Sequence, residues 1–155
     1  ELHDPRDGMT RSTGPAGQWL AMSDGFLRMG RTQLAAQTLE KALQRYPRDV
    51  DLWVAYGNAL VAHAGGIMTP ASGMAFEKAA AINPEHPAPP FFAGLAMAQG
   101  GNLAGARVVW QQLLDRSPPN APWREDLTRR LAELPAPPRA PSPPEDSPAS
   151  VPESR

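Results

Sequence analysis

The sequence predicts an all-α solenoid, three helix–turn–helix repeats closed by a C-terminal capping helix, and three observations carry that reading. Between about positions 16 and 134 the apolar residues, rich in Ala and Leu, recur with the period of helices. Prolines at 47, 84 and 118 punctuate this stretch at intervals of 37 and 34 residues, and proline does not continue a helix interior. The same size of side chain returns at fixed offsets before each proline: Ala42, Ala79 and Leu113 five residues back, Leu39, Phe76 and Trp110 eight back. Self-similarity near this period marks stacked helical hairpins, each too small to bury its apolar face alone.

The elements follow in chain order. Residues 1–15, with Pro5, Gly8, Gly14 and Pro15 among scattered charges, read as a linker, and an opening on Glu1 rather than Met suggests a fragment of something longer. The first repeat spans about 16–47, begins its first helix around Trp19 and Met22, and turns at Gly30. The second, about 50–84, starts with Trp53 and Tyr56 and is three residues longer than its successor because its interhelix region reads VAHAGGIMTPAS. There Gly65–Gly66 is expected to end one helix and Thr69 followed by Pro70 to open the next, glycine suiting the helix exit and proline the first turn. The third repeat, about 87–118, places Gly94 after Phe91 and Phe92 and turns at Gly100–Gly101. A solenoid leaves its last apolar face bare unless capped. Residues 121–134 supply the cap through a stripe of Trp123, Leu127, Leu131 and Leu134, with Asn120 and Pro122 placed to start the helix. From Pro135 the chain reads PAPPRAPSPPEDSPASVPESR, too poor in apolar residues to fold, so 135–155 is expected to be a disordered, extended tail.

These residues resemble the tetratricopeptide repeat (TPR), whose signature is W-x2-L-G-x2-Y, then A-x3-F, then P. Trp53, Tyr56, Gly57 and Leu60 stand at the first-helix positions of the second repeat, and Ala106, Trp110 and Pro118 at the later positions of the third. Small residues at Gly57, Gly94, Ala35, Ala42, Ala79 and Ala106 allow antiparallel helices to approach, and larger apolar side chains fill the space between repeats.

Composition excludes several function classes. The chain has 155 residues with 15 basic against 16 acidic, a net charge of −1, which gives no electrostatic footprint for a nucleic-acid backbone. Zero cysteine removes disulfides, thiolate metal sites and thiol catalysis. No apolar run is long enough to span a membrane. His3, His63 and His86 fall in the linker, near a helix end and in an interrepeat turn, without a partner at ligand or catalytic spacing. Glu125–Asp126 and Glu145–Asp146 read as solvated charge, and Met22, Met29, Met68, Met74 and Met97 as core or loop packing. No catalytic residue, metal ligand or cofactor is expected.

What remains is the concave face formed by the first helix of each repeat. The positions expected to face it are Leu20, Asp24, Leu27 and Arg28, then Val54, Asn58 and Val61, then Phe91, Phe92, Leu95 and Gln99. The lining is mostly apolar, which suits an amphipathic helix, with Asp24, Arg28, Asn58 and Gln99 fixing its register. A clamp for a C-terminal carboxylate, as in chaperone-binding TPR domains, is not expected, because Leu20 stands where the first clamp lysine belongs and only Asn58 matches.

At the level of particular words the chain is similar to the periplasmic TPR domain of the cytochrome c maturation family called CcmI or CycH, with NrfG as a relative. The stretches are 17–43, 65–87 and 91–134, and the distinctive features are GG-x-x-T-P in the second repeat, W-Q-x-L-L in the third and P-W-R at the cap. This resemblance implies a non-catalytic chaperone that holds apocytochrome c, mainly by its C-terminal helix, and presents it to the subunits of the haem-ligation complex. It further implies a periplasmic domain whose contact with the membrane is an N-terminal anchor outside this sequence. A TPR scaffold for another bacterial envelope or secretion assembly is the alternative.

Overall fold

The computed structural model describes residues 14–137 and Arg139, and among them the chain forms seven α-helices: α1 (Gly17–Arg28), α2 (Thr32–Arg45), α3 (Val50–His63), α4 (Pro70–Ile82), α5 (Ala88–Gln99), α6 (Leu103–Arg116) and α7 (Arg124–Glu133). The linker expected over 1–15 and the tail expected over 135–155, Glu145 and Asp146 included, fall mostly outside the described residues. Helices pair as α1 with α2, α3 with α4 and α5 with α6, and α7 packs on α6. The odd helices also touch in sequence, α1 on α3 and α3 on α5, which lays them side by side along one face. This is the TPR arrangement of stacked helical hairpins.

Each hairpin turns on a glycine in the left-handed region, Gly30 at φ 71°, Gly65 and Gly66 at 74° and 95°, and Gly101 at 87°. In each turn the next backbone N–H closes back over the helix end: Arg31 onto the Phe26 carbonyl, Gly66 onto Val61 and Asn102 onto Met97, all at 2.8 Å. These bonds satisfy carbonyls that a helix end otherwise leaves open. Helix starts are specified by side chains. Asp49 accepts from Leu52 N–H at 3.0 Å, Asn102 from Gly105 N–H at 3.0 Å, and Thr69 forms a reciprocal capping box with Ser72, with Pro70 as the first residue of α4.

The hairpins close through one repeated contact. In α3 the backbone at Gly57 lies against the ring of Phe76 in α4, and in α5 the backbone at Gly94 lies against the indole of Trp110 in α6. Trp110 is buried and its Nε1 donates to the Phe91 carbonyl at 3.0 Å. The equivalent position in α1 is Ser23, buried, whose hydroxyl turns back onto the Leu20 carbonyl at 2.9 Å; its counterpart in α2 is Leu39. Over the two glycines the large member grows from Phe76 to Trp110, while by register the first hairpin carries the larger Ser23 with the smaller Leu39. Buried side chains gather into two clusters, one around Leu39, Leu43 and Leu52 between the first two hairpins, the other around Phe76, Phe91, Trp110 and Leu127 from the second hairpin to the cap. Tyr56 of α3 also donates to Glu40 of α2 at 2.8 Å.

The cap departs from expectation at its start and in its charge. Asn120 and Pro122 do not begin the helix: residues 118–124 are spent in turns, with Ala121 N–H on the Pro118 carbonyl and Arg124 N–H on Ala121, both at 3.1 Å, and α7 starts at Arg124. The end of α6 takes up the polar groups instead. Trp123 Nε1 donates to Ser117 Oγ at 2.8 Å, and Arg124 donates to the carbonyls of Leu114 and Ser117 at 2.8 and 2.9 Å, a cation at a helix C-terminus. Asp126, expected to be solvated, is buried, because Arg129 and Arg130 both bind its carboxylate and Arg130 in turn lies 5.3 Å from the Phe91 ring centroid. The methionines also divide: Met22, Met29 and Met74 are largely exposed, whereas Met68 and Met97 border a second, apolar cleft of about 260 Å³ between α4, α5 and α6.

Candidate peptide-binding groove

Side by side, α1, α3 and α5 enclose an open groove of about 340 Å³. From the expected set it collects Leu20, Asp24 and Leu27 of α1, Val54 and Asn58 of α3, and Phe92 of α5. Ala21, Ser23, Ala55 and Asp51 complete the lining. Asp51 is a residue that the sequence reading passes over, although Asp51, Val54, Ala55 and Asn58 follow the i, i+3, i+4, i+7 spacing of one helix face. It sits in the first turn of α3, where a carboxylate faces the positive end of the helix.

The other expected residues lie elsewhere. Phe91 is a correction: it has no exposed surface, packs against Trp110 at 6.4 Å between ring centroids, and belongs to the core that joins α5 to the cap. One residue along the helix rotates the side chain by about 100°, so Phe92 turns to the groove and Phe91 away from it. Val61 is likewise buried in that core, as are Val54 and Phe92, which border the groove but expose almost none of their surface to it, and Leu95 packs on the edge of the core. Gln99 is at the end of α5, beside the turn at Gly66, not along the groove. Arg28 is exposed at the end of α1, where it pairs with Asp24 one turn earlier.

The electrostatics of the groove are one-sided. Its lining contains two carboxylates, Asp24 and Asp51, and neither lysine nor arginine. Burial pushes the Asp51 carboxyl above its ordinary value of 3.8; His86 pulls it down and Asp49 adds to the rise. His86 Nε2 stands 3.6 Å from Asp51 Oδ1, too far for a good hydrogen bond, and the ring is held because its Nδ1 accepts from Ala88 N–H at 3.2 Å. Asp51 Oδ1 is therefore buried without a hydrogen-bond partner. His63, at the end of α3, shares a 3.0 Å contact with Thr32 Oγ1. Among the described residues no group of three or more potential ligands is placed to hold a metal ion, and no helix is long and apolar enough to cross a membrane. The arrangement suits reversible binding of a side-chain-bearing surface.

Fold and groove define a tetratricopeptide-repeat domain, and the sequence profile of the tetratricopeptide repeat matches residues 16–59. The domain has relatives in cytochrome c-type biogenesis. It is 32% identical over 123 residues to the cytochrome c-type biogenesis protein CycH of Rhizobium meliloti strain 1021, an alignment covering 79% of this chain and 32% of that protein. To the CycH of Bradyrhizobium diazoefficiens it is 31% identical over 116 residues, covering 75% and 31%. The chain thus spans about a third of the length of the curated relatives it matches. Among solved structures it is similar in fold to the type III secretion translocator chaperone SycD of Yersinia enterocolitica, with a TM-score of 0.60 and 16% identity over 80% of this chain and 86% of that one.

Proposed function

We propose that this domain is a non-catalytic adaptor in cytochrome c-type biogenesis that holds apocytochrome c, with the C-terminal helix of the client in the groove between α1, α3 and α5, and hands it to subunits of the haem-ligation complex. The observation that carries the reading is the groove itself. Its apolar floor of Leu20, Leu27, Val54 and Phe92, with Asn58 as a polar contact, has the chemistry of a seat for an amphipathic helix. The CycH relatives supply the pathway. In this reading the domain works on the periplasmic side of the inner membrane, tethered by sequence outside the chain described. Val54 and Phe92 are already buried in the free domain, so the apolar gain comes mainly from the partly exposed Leu20 and Leu27, at about 1.5–3 kcal/mol each less the cost of ordering the ligand, which leads to affinities weaker than micromolar.

The test is calorimetric titration of the domain with the C-terminal helical peptide of a c-type cytochrome from the same organism, against a scrambled peptide. Selective binding that falls about tenfold or more in Leu27→Asp, with the helical circular-dichroism signal intact, supports the proposal. Absence of selective binding by the folded domain overturns it and favours a scaffold for another envelope or secretion assembly.

A further inference from the structure

The groove is not a neutral apolar trough. Its lining carries two negative charges and no positive one, in a chain whose net charge is only −1, so the acidity is local. Neither carboxylate is well satisfied from within. Asp51 Oδ1 is buried with no hydrogen-bond partner, and the tethered His86 ring stops short of it. Asp24 has Arg28 as a salt-bridge partner, but the pair is an exposed i, i+4 contact, with side chains 73% and 59% accessible, and such pairs exchange readily with solvent or another cation. Oδ1 itself faces His86 and is closed to solvent, but both carboxyl groups border the groove, so an incoming cation is attracted to that wall and an incoming carboxylate repelled from it.

We infer that the groove selects a cationic amphipathic helix, one whose apolar stripe is flanked by a lysine or arginine that reaches Asp51 and Asp24. This rests on the reading of the groove as a helix seat and adds the charge of its occupant. The stripe covers the partly exposed Leu20 and Leu27, above a floor of already buried Val54 and Phe92. The basic side chain lays its methylene stem along the same apolar surface and delivers its head group to the carboxylates. A helix with an identical stripe and a glutamate at that position is excluded by charge, so a domain of almost neutral composition sorts its clients by a feature of one wall.

The test uses three dye-labelled synthetic helices that share a leucine stripe and differ at one flanking position, Lys, Gln or Glu, titrated into the domain by fluorescence anisotropy at low salt. The expected order is Lys, then Gln, then Glu, with about tenfold between the ends. The spread shrinks below about threefold in Asp24→Asn/Asp51→Asn, and also in the unaltered domain at about 0.5 M NaCl. The salt series stands alone if the double variant does not fold. Equal binding of the three helices, binding of none of them, or a spread that survives salt overturns the inference. The cytochrome peptide, run in parallel, separates the two readings. If it binds while the charge series is flat, only the charge selection falls; a graded series with a silent cytochrome peptide leaves the selection standing and removes the cytochrome.

Discussion

Gly94→Ala tests the contact on which the third hairpin closes. An ideal Cβ at Gly94 lies 2.2 Å from Nε1, 2.6 Å from Cδ1 and 2.7 Å from Cε2 of Trp110, whereas carbon atoms rest about 3.5–4.0 Å apart. The obstacle is a rigid ring only 2% exposed, held by its hydrogen bond to the Phe91 carbonyl, so either the helices separate by more than about 1 Å or the indole leaves its place. Overpacking of this kind costs about 1–3 kcal/mol, loss of the indole hydrogen bond adds about 1 kcal/mol, and the better helix propensity of alanine returns about 1 kcal/mol. A net loss of about 1–3 kcal/mol follows, a fall in Tm on the order of 5–10 °C for a domain of this size. Gly25→Ala in α1, with nothing within 4 Å of the new methyl, is the control and should be neutral or stabilising by up to about 1 kcal/mol. Urea denaturation followed by circular dichroism and tryptophan fluorescence measures both. In a Trp110→Leu background, which reproduces the Leu39 of the first hairpin, the alanine should cost at least about 1 kcal/mol less. A Gly94→Ala domain as stable as Gly25→Ala, or effects that simply add in the double variant, would refute the packing argument.

Two further outcomes are expected. Thr69→Ala removes the acceptor for Ser72 N–H in the capping box of α4 and should cost about 1 kcal/mol, with faster amide exchange confined at first to the opening turn of α4; unchanged exchange there would show that the box is idle. Asp51→Asn should be more stable than the parent domain at neutral pH, because burial raises the Asp51 pKa above 3.8. The folded state then holds that proton more tightly than the unfolded one. The contribution of Asp51 is therefore most favourable below the unfolded pKa and declines as pH rises through the raised folded value. The gap in Tm between the two proteins should accordingly close as the pH is lowered through the carboxylate range, and a gap independent of pH would sink the assignment.

Much of the fold is legible in the sequence because it is written in residues with few options. Pro47, Pro84 and Pro118 each stand two residues past the end of a helix, Gly30, Gly65 and Gly101 occupy turns that other residues resist, and Thr69–Pro70 announces a helix start without tertiary help. Gly57 and Gly94 are legible as sites of close approach, but the sequence reading puts the large side chains between repeats, and it is the structure that sets Phe76 and Trp110 on these glycines within a hairpin. Ser23 escapes, since its membership in the same series depends on its hydroxyl being satisfied by its own helix rather than on its size. The start of the cap escapes because the choice among Asn120, Pro122 and Trp123 is made by how the connection binds the end of α6. The groove was half legible. Periodicity identifies a helix face to within about one residue, which is the error that separates Phe91 from Phe92, and it does not say how far along α5 the neighbouring helices extend, which is why Gln99 falls at a turn. Asp51 was hidden by its place in the first turn, where an acidic residue already has a local reason to be.

The fit of Gly57 to Phe76 and of Gly94 to Trp110 bears on how such a chain changes length. A first helix carrying a serine at this position, as α1 does at Ser23, would set a side chain where Gly94 leaves room for the indole of Trp110. Duplication by recombination at the wrong boundary gives a misfitted unit, whereas duplication of a whole hairpin preserves the match. The helices of this solenoid are therefore not freely interchangeable: α3 and α5 both offer a glycine to an aromatic partner, whereas α1, which carries Ser23 there, cannot stand in for α5 against Trp110.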